Sequence, residues 1–310
     1  MGSPSRLEGA GGLLDAAAEG TPASGAVRHG GARSLRRLAK NWKGVAGGAI
    51  LGLVVVVIVG APLWWPEDPL KVTLRDTLMP PLSQGAAGYH LLGTDPLGRD
   101  LLARVISGGR VSLLIGFLAV AVSAPLGLAA GVVSGFVGGR LDSILMRVVD
   151  TQAAIPFILL AVAFVAVLGP SARNVVIVLG IAGWITFGRV ARAEALVLRE
   201  YEYVEAARAL GASATRIIAV HILPGAVNSA IVIGTFSVGQ MIVLESTLSF
   251  FGLGVQPPTA SWGNIMSAGR PYLDTAPWIT TFPGVALLVT VLGVNLVGEW
   301  LGGASSPHAR

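Results

Sequence analysis

Residues 45–63, from Val45 to Leu63, run nineteen positions without a charge. At 1.5 Å per residue, a helix of that length crosses the roughly 30 Å hydrocarbon layer of a bilayer. A cleaved leader is the competing reading, because basic residues precede the run. Its apolar core is longer than the usual 7–15 residues and no A-x-A site follows, so a retained span is favoured. Five more apolar runs follow, at Ser112–Phe136, Ala153–Leu168, Val175–Phe187, Ala226–Phe251 and Ile279–Gly298. The fourth is the shortest and extends naturally toward Arg189. With 53% hydrophobic and only 13% charged residues, against about 25% charged in a soluble domain, the chain reads as an all-α, polytopic membrane protein with six transmembrane helices. It has no cysteine, which removes disulfides and Cys-ligated metal centres.

The basic residues orient the spans. With a cytoplasmic N-terminus, the inner segments 1–44, 137–152, 188–225 and 299–310 hold fifteen Lys or Arg, and the outer segments hold seven. That bias predicts both termini inside. Residues 1–44, rich in Gly, Ala, Ser and Arg, read as a disordered cytoplasmic tail, and 301–310 as a second tail. The organisation expected is a first transmembrane helix at 45–63, an extracytoplasmic segment at 64–111, and a five-helix core at 112–300 with a cytoplasmic segment at 191–224. Basicity here reports orientation and not nucleic acid, since no basic patch is interleaved with stacking aromatics.

The cytoplasmic segment contains "EAARALGASATRIIAVHILP", residues 205–224. Strong helix formers break at Gly211, which accepts a left-handed helix end. Ser213 can cap a second helix, and Pro224 is expected to end it. Small side chains at Ala206 and Ala207 allow close approach, and Glu205 supplies one directional charge. On composition alone an amphipathic loop helix lying on headgroups is an equal alternative.

The outer segment carries "GTDPLGRD": Gly93, Pro96 and Gly98 mark turns, and Asp95 can close one. Asp100 and Arg104 have helix-pair spacing. Asp95 and Asp100 are also candidate cation ligands, although a structured turn leading into the second span explains the residues as well. Glu245 is the one carboxylate well inside a span, open to substrate contact or to a structural hydrogen bond. Pro156 falls inside the third span, where a kink is compatible with gating. Trp262 and Tyr272 suit an interface.

Three motifs together resemble one family. E-A-A, three residues, Gly211, eleven more and then Leu223-Pro224 resembles the EAA loop of ABC importer permeases. His221 stands where the wider pattern often has Ile, a variant similar to the peptide-type branch. Gly93, Thr94, Asp95, Gly98, Arg99 and Asp100 resemble the N-terminal signature of the dipeptide/oligopeptide/nickel permeases, and "LSFFGLGVQPP" resembles a third run of that family. The resemblance implies a type I importer permease fold in a bacterial cytoplasmic membrane. It also implies a second homologous permease subunit forming a heterodimer, one or two ATPase subunits holding ATP and Mg, and an extracytoplasmic solute-binding protein. Glu205, Ala206, Ala207, Gly211, His221, Leu223 and Pro224 would couple to the ATPase. Peptide is the leading cargo, with nickel or another small solute as the alternative. The chain has no Walker A sequence, so hydrolysis falls to partners. A self-contained secondary transporter is disfavoured by spans nearly bare of ionisable groups. A membrane enzyme is disfavoured because His90 and His221 fall on opposite faces. No cofactor or metal site is expected in the chain itself.

Overall fold

The computed structural model describes residues 42–305. The two expected tails lie outside these residues except for their inner ends. Ten α-helices are formed among them: α1 Trp42–Trp64, α2 Leu101–Val137, α3 Gly139–Ala153, α4 Phe157–Leu168, α5 Ala172–Leu198, α6 Glu202–Ala209, α7 Ala214–Ile217, α8 Leu223–Phe250, α9 Trp262–Gly269 and α10 Trp278–Ser305. A short 3₁₀ turn at Leu74–Asp76 and a two-stranded hairpin, β1 Ser83–Gln84 with β2 Tyr89–His90, decorate the segment between α1 and α2. The hairpin is antiparallel and pairs Ser83 with His90 and Gln84 with Tyr89.

Five helical columns are long and apolar enough to cross a bilayer, and a sixth arises if the bent pair α3–α4 counts as one span. The third span therefore differs from a simple kinked helix. Pro156 is not inside it: it sits at the N-cap of α4, at a break where α3 and α4 meet at 90°. Proline lacks the N–H that an interior turn needs, whereas the first position of a helix needs none. Twelve residues of α4 reach about 18 Å, too little for the hydrocarbon layer alone. The fourth run, short in sequence, belongs to a full 27-residue helix, α5. Arg189, Arg192 and Glu194 conceal its inner half from a hydropathy reading. As a result residues 191–198 of the expected cytoplasmic segment continue a membrane helix.

Helix contacts are made through small residues, as expected where lipid offers no hydrophobic drive between helices. Gly127, Gly131 and Gly135 line one stripe of α2, and a Cβ at any of them would collide with backbone oxygens of α5, at Trp184, Gly188 and Arg192. In the same way, Gly47 of α1 lies against Leu296 and Val297 of α10, and Gly293 of α10 against Ile50 and Leu51 of α1. Three buried clusters follow one another along α2. One gathers Leu101, Val105, Ile242, Trp262 and Ile279, the next Ile115, Leu179, Met241 and Leu248, and the last Val132, Ala191, Val204, Ile217 and Ile222. The α1 face bearing Val59 and Leu63, 67% and 92% exposed, is the one a bilayer would cover.

Candidate coupling segment and outer signature

The coupling segment begins where α5 stops at Leu198. Tyr201 starts α6, and Val204, fully buried among Val132, Ala191 and Ile222, anchors its inner face. Arg208 lies over the Phe136 ring of α2, 5.2 Å from the ring centre, which holds the helix end by a cation–π contact. Past Ala209 the chain turns at Gly211, whose φ of +80° is left-handed. The Ala212 N–H reaches back to the Ala207 carbonyl at 3.0 Å and the Gly211 N–H to Arg208 at 2.9 Å, a glycine-terminated helix end. Ser213 accepts from the Arg216 N–H at 3.4 Å and caps α7.

This corner presents Glu205, Ala206, Arg208, Ala209, Leu210 and Gly211 to the surroundings, with Ala207 half-buried. Glu205 has no ion pair among the described residues. Leu210 is 88% exposed. In the sequence Leu210 is inconspicuous, a strong helix former next to Ala209. The signal available was a large apolar side chain immediately before the left-handed glycine.

Pro224 does not end the helix that Ser213 caps. The chain passes through a π turn at Ile218–Ile222 directly into α8, with Pro224 in the first turn of α8 and exposed. The wider turn restarts the hydrogen-bond register, so proline falls where its missing N–H costs nothing. His221, half-buried in this turn, rests against the Tyr203 ring at 5.6 Å between centres. Leu223 is half-buried and packs with the cluster beneath α6. Behind the corner, Asp142 of α3 receives both Nε and Nη2 of Arg192 at 2.6 and 2.7 Å and the Ser134 hydroxyl. Arg199 donates to the Gly135 carbonyl at 2.9 Å. Fifty residues separate Asp142 from Arg192, and no sequence spacing announces that pair.

The Gly93–Asp100 signature is a knot of buried carboxylates. Asp95 accepts from the N–H groups of Leu97 and Arg99 at 2.8 and 3.0 Å and from Arg99 Nε at 2.6 Å. Arg104 approaches Asp95 at 3.4 Å, so the i,i+4 pairing of Asp100 with Arg104 read from spacing is not formed. Asp100 is engaged elsewhere: it caps α2 through the Ala103 N–H at 2.8 Å, accepts from Trp65 Nε1 at 3.2 Å, and meets His90 Nδ1 at 3.0 Å. The other ring nitrogen of His90 faces Asp76 at 3.3 Å. Asp76 also receives the N–H groups of Ala86 and Ala87, both at 2.7 Å. Burial by itself pushes the Asp76 carboxyl up, but the bonds from Ala87, Ala86 and His90 outweigh it and hold it below the ordinary range. Thr94 donates to the Asp76 carbonyl and accepts from the Met79 N–H at 2.8 Å.

Gly93 and Gly98 are left-handed, at φ +80° and +68°, and a Cβ at Gly98 would strike the Thr73 carbonyl. No group of three or more His, Asp or Glu among the described residues has the geometry of a metal site, and Asp95 and Asp100 point their oxygens at N–H donors. Glu245 is fully buried and accepts from the hydroxyls of Ser249 and Ser246, at 2.7 and 3.2 Å.

Comparison with known proteins gives these features a context. A family model described as the binding-protein-dependent transport system inner membrane component matches residues 125–310. A model for the N-terminal transmembrane domain of oligopeptide transport permease C matches residues 31–81. A di/tripeptide transport system permease protein of Pseudomonas aeruginosa is 40% identical over 86% of this chain and 89% of its own length. A putative peptide transport system permease protein of Brucella abortus is 42% identical over 89% of this chain and 91% of its own. A glutathione transport system permease protein of Pectobacterium atrosepticum is 37% identical over 89% and 90%. Among solved structures, the inward-facing MetNI methionine ABC transporter superposes with a TM-score of 0.54 at 18% identity, covering 66% of this chain and 97% of that one. That likeness carries the fold, the type I permease arrangement of helices.

Proposed function

The chain belongs to the inner membrane components of binding-protein-dependent transport systems, and from that premise we propose that it is one half of a peptide translocation pathway driven through the Glu205–Pro224 corner. The observation that carries the coupling role is the exposed corner itself. Leu210, 88% exposed, stands beside the left-handed Gly211 at the end of a short helix held from behind by Val204 and Arg208. An apolar knob flanked by Ala206, Ala207 and unpaired Glu205 fits a cleft on another protein better than it fits water. In this reading the cleft belongs to one of one or two ATPase subunits that bind ATP and Mg, and its movement passes through α6 and the α7–α8 column to the membrane helices as a rigid-body shift.

The cargo assignment rests on the peptide, di/tripeptide and glutathione permeases among the relatives. The proposed assembly includes a second homologous permease and an extracytoplasmic solute-binding protein. The arginine bias supports a bacterial cytoplasmic membrane with both termini inside. His221, Leu223 and Pro224 serve the corner by setting how α7 passes into α8. The signature residues from Gly93 to Asp100 shape the outer surface, and Pro156 marks the joint of the bent third span. The test is reconstitution of the chain with its partner permease, ATPases and binding protein. Glu205→Lys and Gly211→Leu are expected to insert normally while ATP turnover no longer drives peptide uptake; wild-type uptake in both would overturn the coupling assignment.

A further inference from the structure

Beside the outer end of α1 lies a cavity of about 240 Å³ whose lining includes Ala61, Trp65, Glu67, Ser107 and Arg110. Arg110 is the informative member. Its Nε and Nη2 both donate to the Ile58 carbonyl, at 2.9 and 2.7 Å. That carbonyl would normally accept from the N–H four residues on, but position 62 is proline and has none. Arg110 thus pins α1 to α2 at an orphaned acceptor. Two of its five N–H groups are used in this way, leaving three.

Ile58 lies six residues, about 9 Å, short of the end of α1, inside the hydrocarbon edge of the 45–63 span and within an arginine side chain's reach of the headgroups. Arg110 is exposed there, and no carboxylate pairs with it among the described residues. An arginine at that depth needs a counter-ion or a path to the headgroups. Glu67 lines the same cavity, exposed and without an ion pair among the described residues. The cavity therefore offers one cation and one anion that do not satisfy each other.

We propose that this cavity binds the headgroup of a zwitterionic, phosphoethanolamine-type phospholipid from the adjacent leaflet, with the phosphate on Arg110 and the Ser107 hydroxyl and the ammonium on Glu67. A purely anionic headgroup would meet Glu67 without a compensating charge. A free peptide carries the same two charges, but the cavity is lined by Ala61 of the apolar helix α1 and by Trp65 just past its end, where the headgroups of the adjacent leaflet are the nearest zwitterions. The bound lipid would complete the joint that Arg110 makes between α1 and α2.

Native mass spectrometry of the assembled, delipidated complex tests this, with equimolar phosphatidylethanolamine and phosphatidylglycerol added back. The wild type is expected to retain the ethanolamine lipid about tenfold more. Arg110→Gln should lose most retained lipid of both kinds, and Glu67→Lys should reverse the preference. Because Arg110 also holds Ile58, the Glu67 variant keeps the test independent of folding. No headgroup preference, or an unchanged preference in Glu67→Lys, would overturn the proposal, and so would displacement of the lipid by a soluble dipeptide. Failure of soluble glycerophosphoethanolamine to compete at equal concentration would place the affinity in the anchored lipid, as proposed; full competition would make the site one for a free phosphoethanolamine and overturn the lipid assignment.

Discussion

The outer segment between α1 and α2 and the inner corner between α5 and α8 are both polar stretches set between apolar helices, yet they are built on opposite principles. The segment between α1 and α2 buries the charges around its signature, while Glu67, Asp68, Lys71 and Arg75 stay exposed. Asp76, His90, Asp95 and Asp100 are each at most 6% exposed, and each of the three carboxylates is met by N–H donors. The inner corner turns its side chains outward and leaves turn closure to backbone bonds around Gly211. The first arrangement makes the signature a fixed cap on α2. The second leaves an exposed surface, which on the proposed reading another protein covers. Similar motif strength in a sequence can therefore mark either architecture or contact, and burial distinguishes them.

Breaking the cap should give the largest effect on stability. Asp100→Ala removes the α2 cap, the Trp65 bond and one partner of buried His90 at once. Losing buried, charge-assisted bonds of this kind costs about 3–5 kcal/mol, and the expected outcome is a protein that is trimmed by protease across residues 66–100 and melts well below wild type. Gly98→Ala comes next, because its left-handed φ and the Thr73 carbonyl both oppose a Cβ. A cost of about 1–3 kcal/mol is expected by thermal unfolding.

The corner sharpens the comparison in the other direction. Leu210→Asp should change the melting temperature little, since an exposed substitution is usually within about 0.5 kcal/mol, while abolishing coupled uptake. A cap-like loss of stability there would erase the distinction drawn above.

Acid should loosen the cap. The depressed Asp76 carboxyl contributes stability that is present above its unfolded value of 3.8 and is lost as pH falls through its lower folded value. Wild type should therefore show protease sensitivity at residues 66–100 rising in that acid range, and Asp76→Asn should flatten the dependence. The smallest effect is expected at Glu245. Its two serine donors lie on its own helix, so Glu245→Gln, which keeps one carbonyl acceptor, should leave uptake within about twofold of wild type, a change near 0.4 kcal/mol.

Much of this was legible from the chain because its strongest signals are local. Charge-free runs specify the long helices, and Gly211 with Ser213 specifies a turn whatever surrounds it. Where the reading of residues and the fold differ, the cause is either a partner distant in sequence or a local turn that no residue type announces. The inner half of α5 reads as a loop because Arg192 is charged, and only Asp142, fifty residues away, shows how that charge is accommodated within a helix bundle. Asp100 looks paired with Arg104 at helix spacing, but His90 and Trp65 claim it from other elements. Pro224 looks like a stop because nothing in the residues announces the π turn before it. Leu210 was hidden by its own suitability for a helix; solvent exposure is a property of the fold and cannot be read from residue type.

The chain's lack of cysteine allows the central claim to be tested in one labelling experiment on single-cysteine variants, Leu210→Cys at the corner and Leu82→Cys on the outer segment, where Leu82 is 66% exposed. A membrane-impermeant maleimide applied to oriented vesicles should reach the two positions from opposite sides, and assembly with the ATPase should protect position 210 while leaving 82 unchanged. Labelling of both from one side, or of position 210 at the same rate with and without the ATPase, would contradict the account.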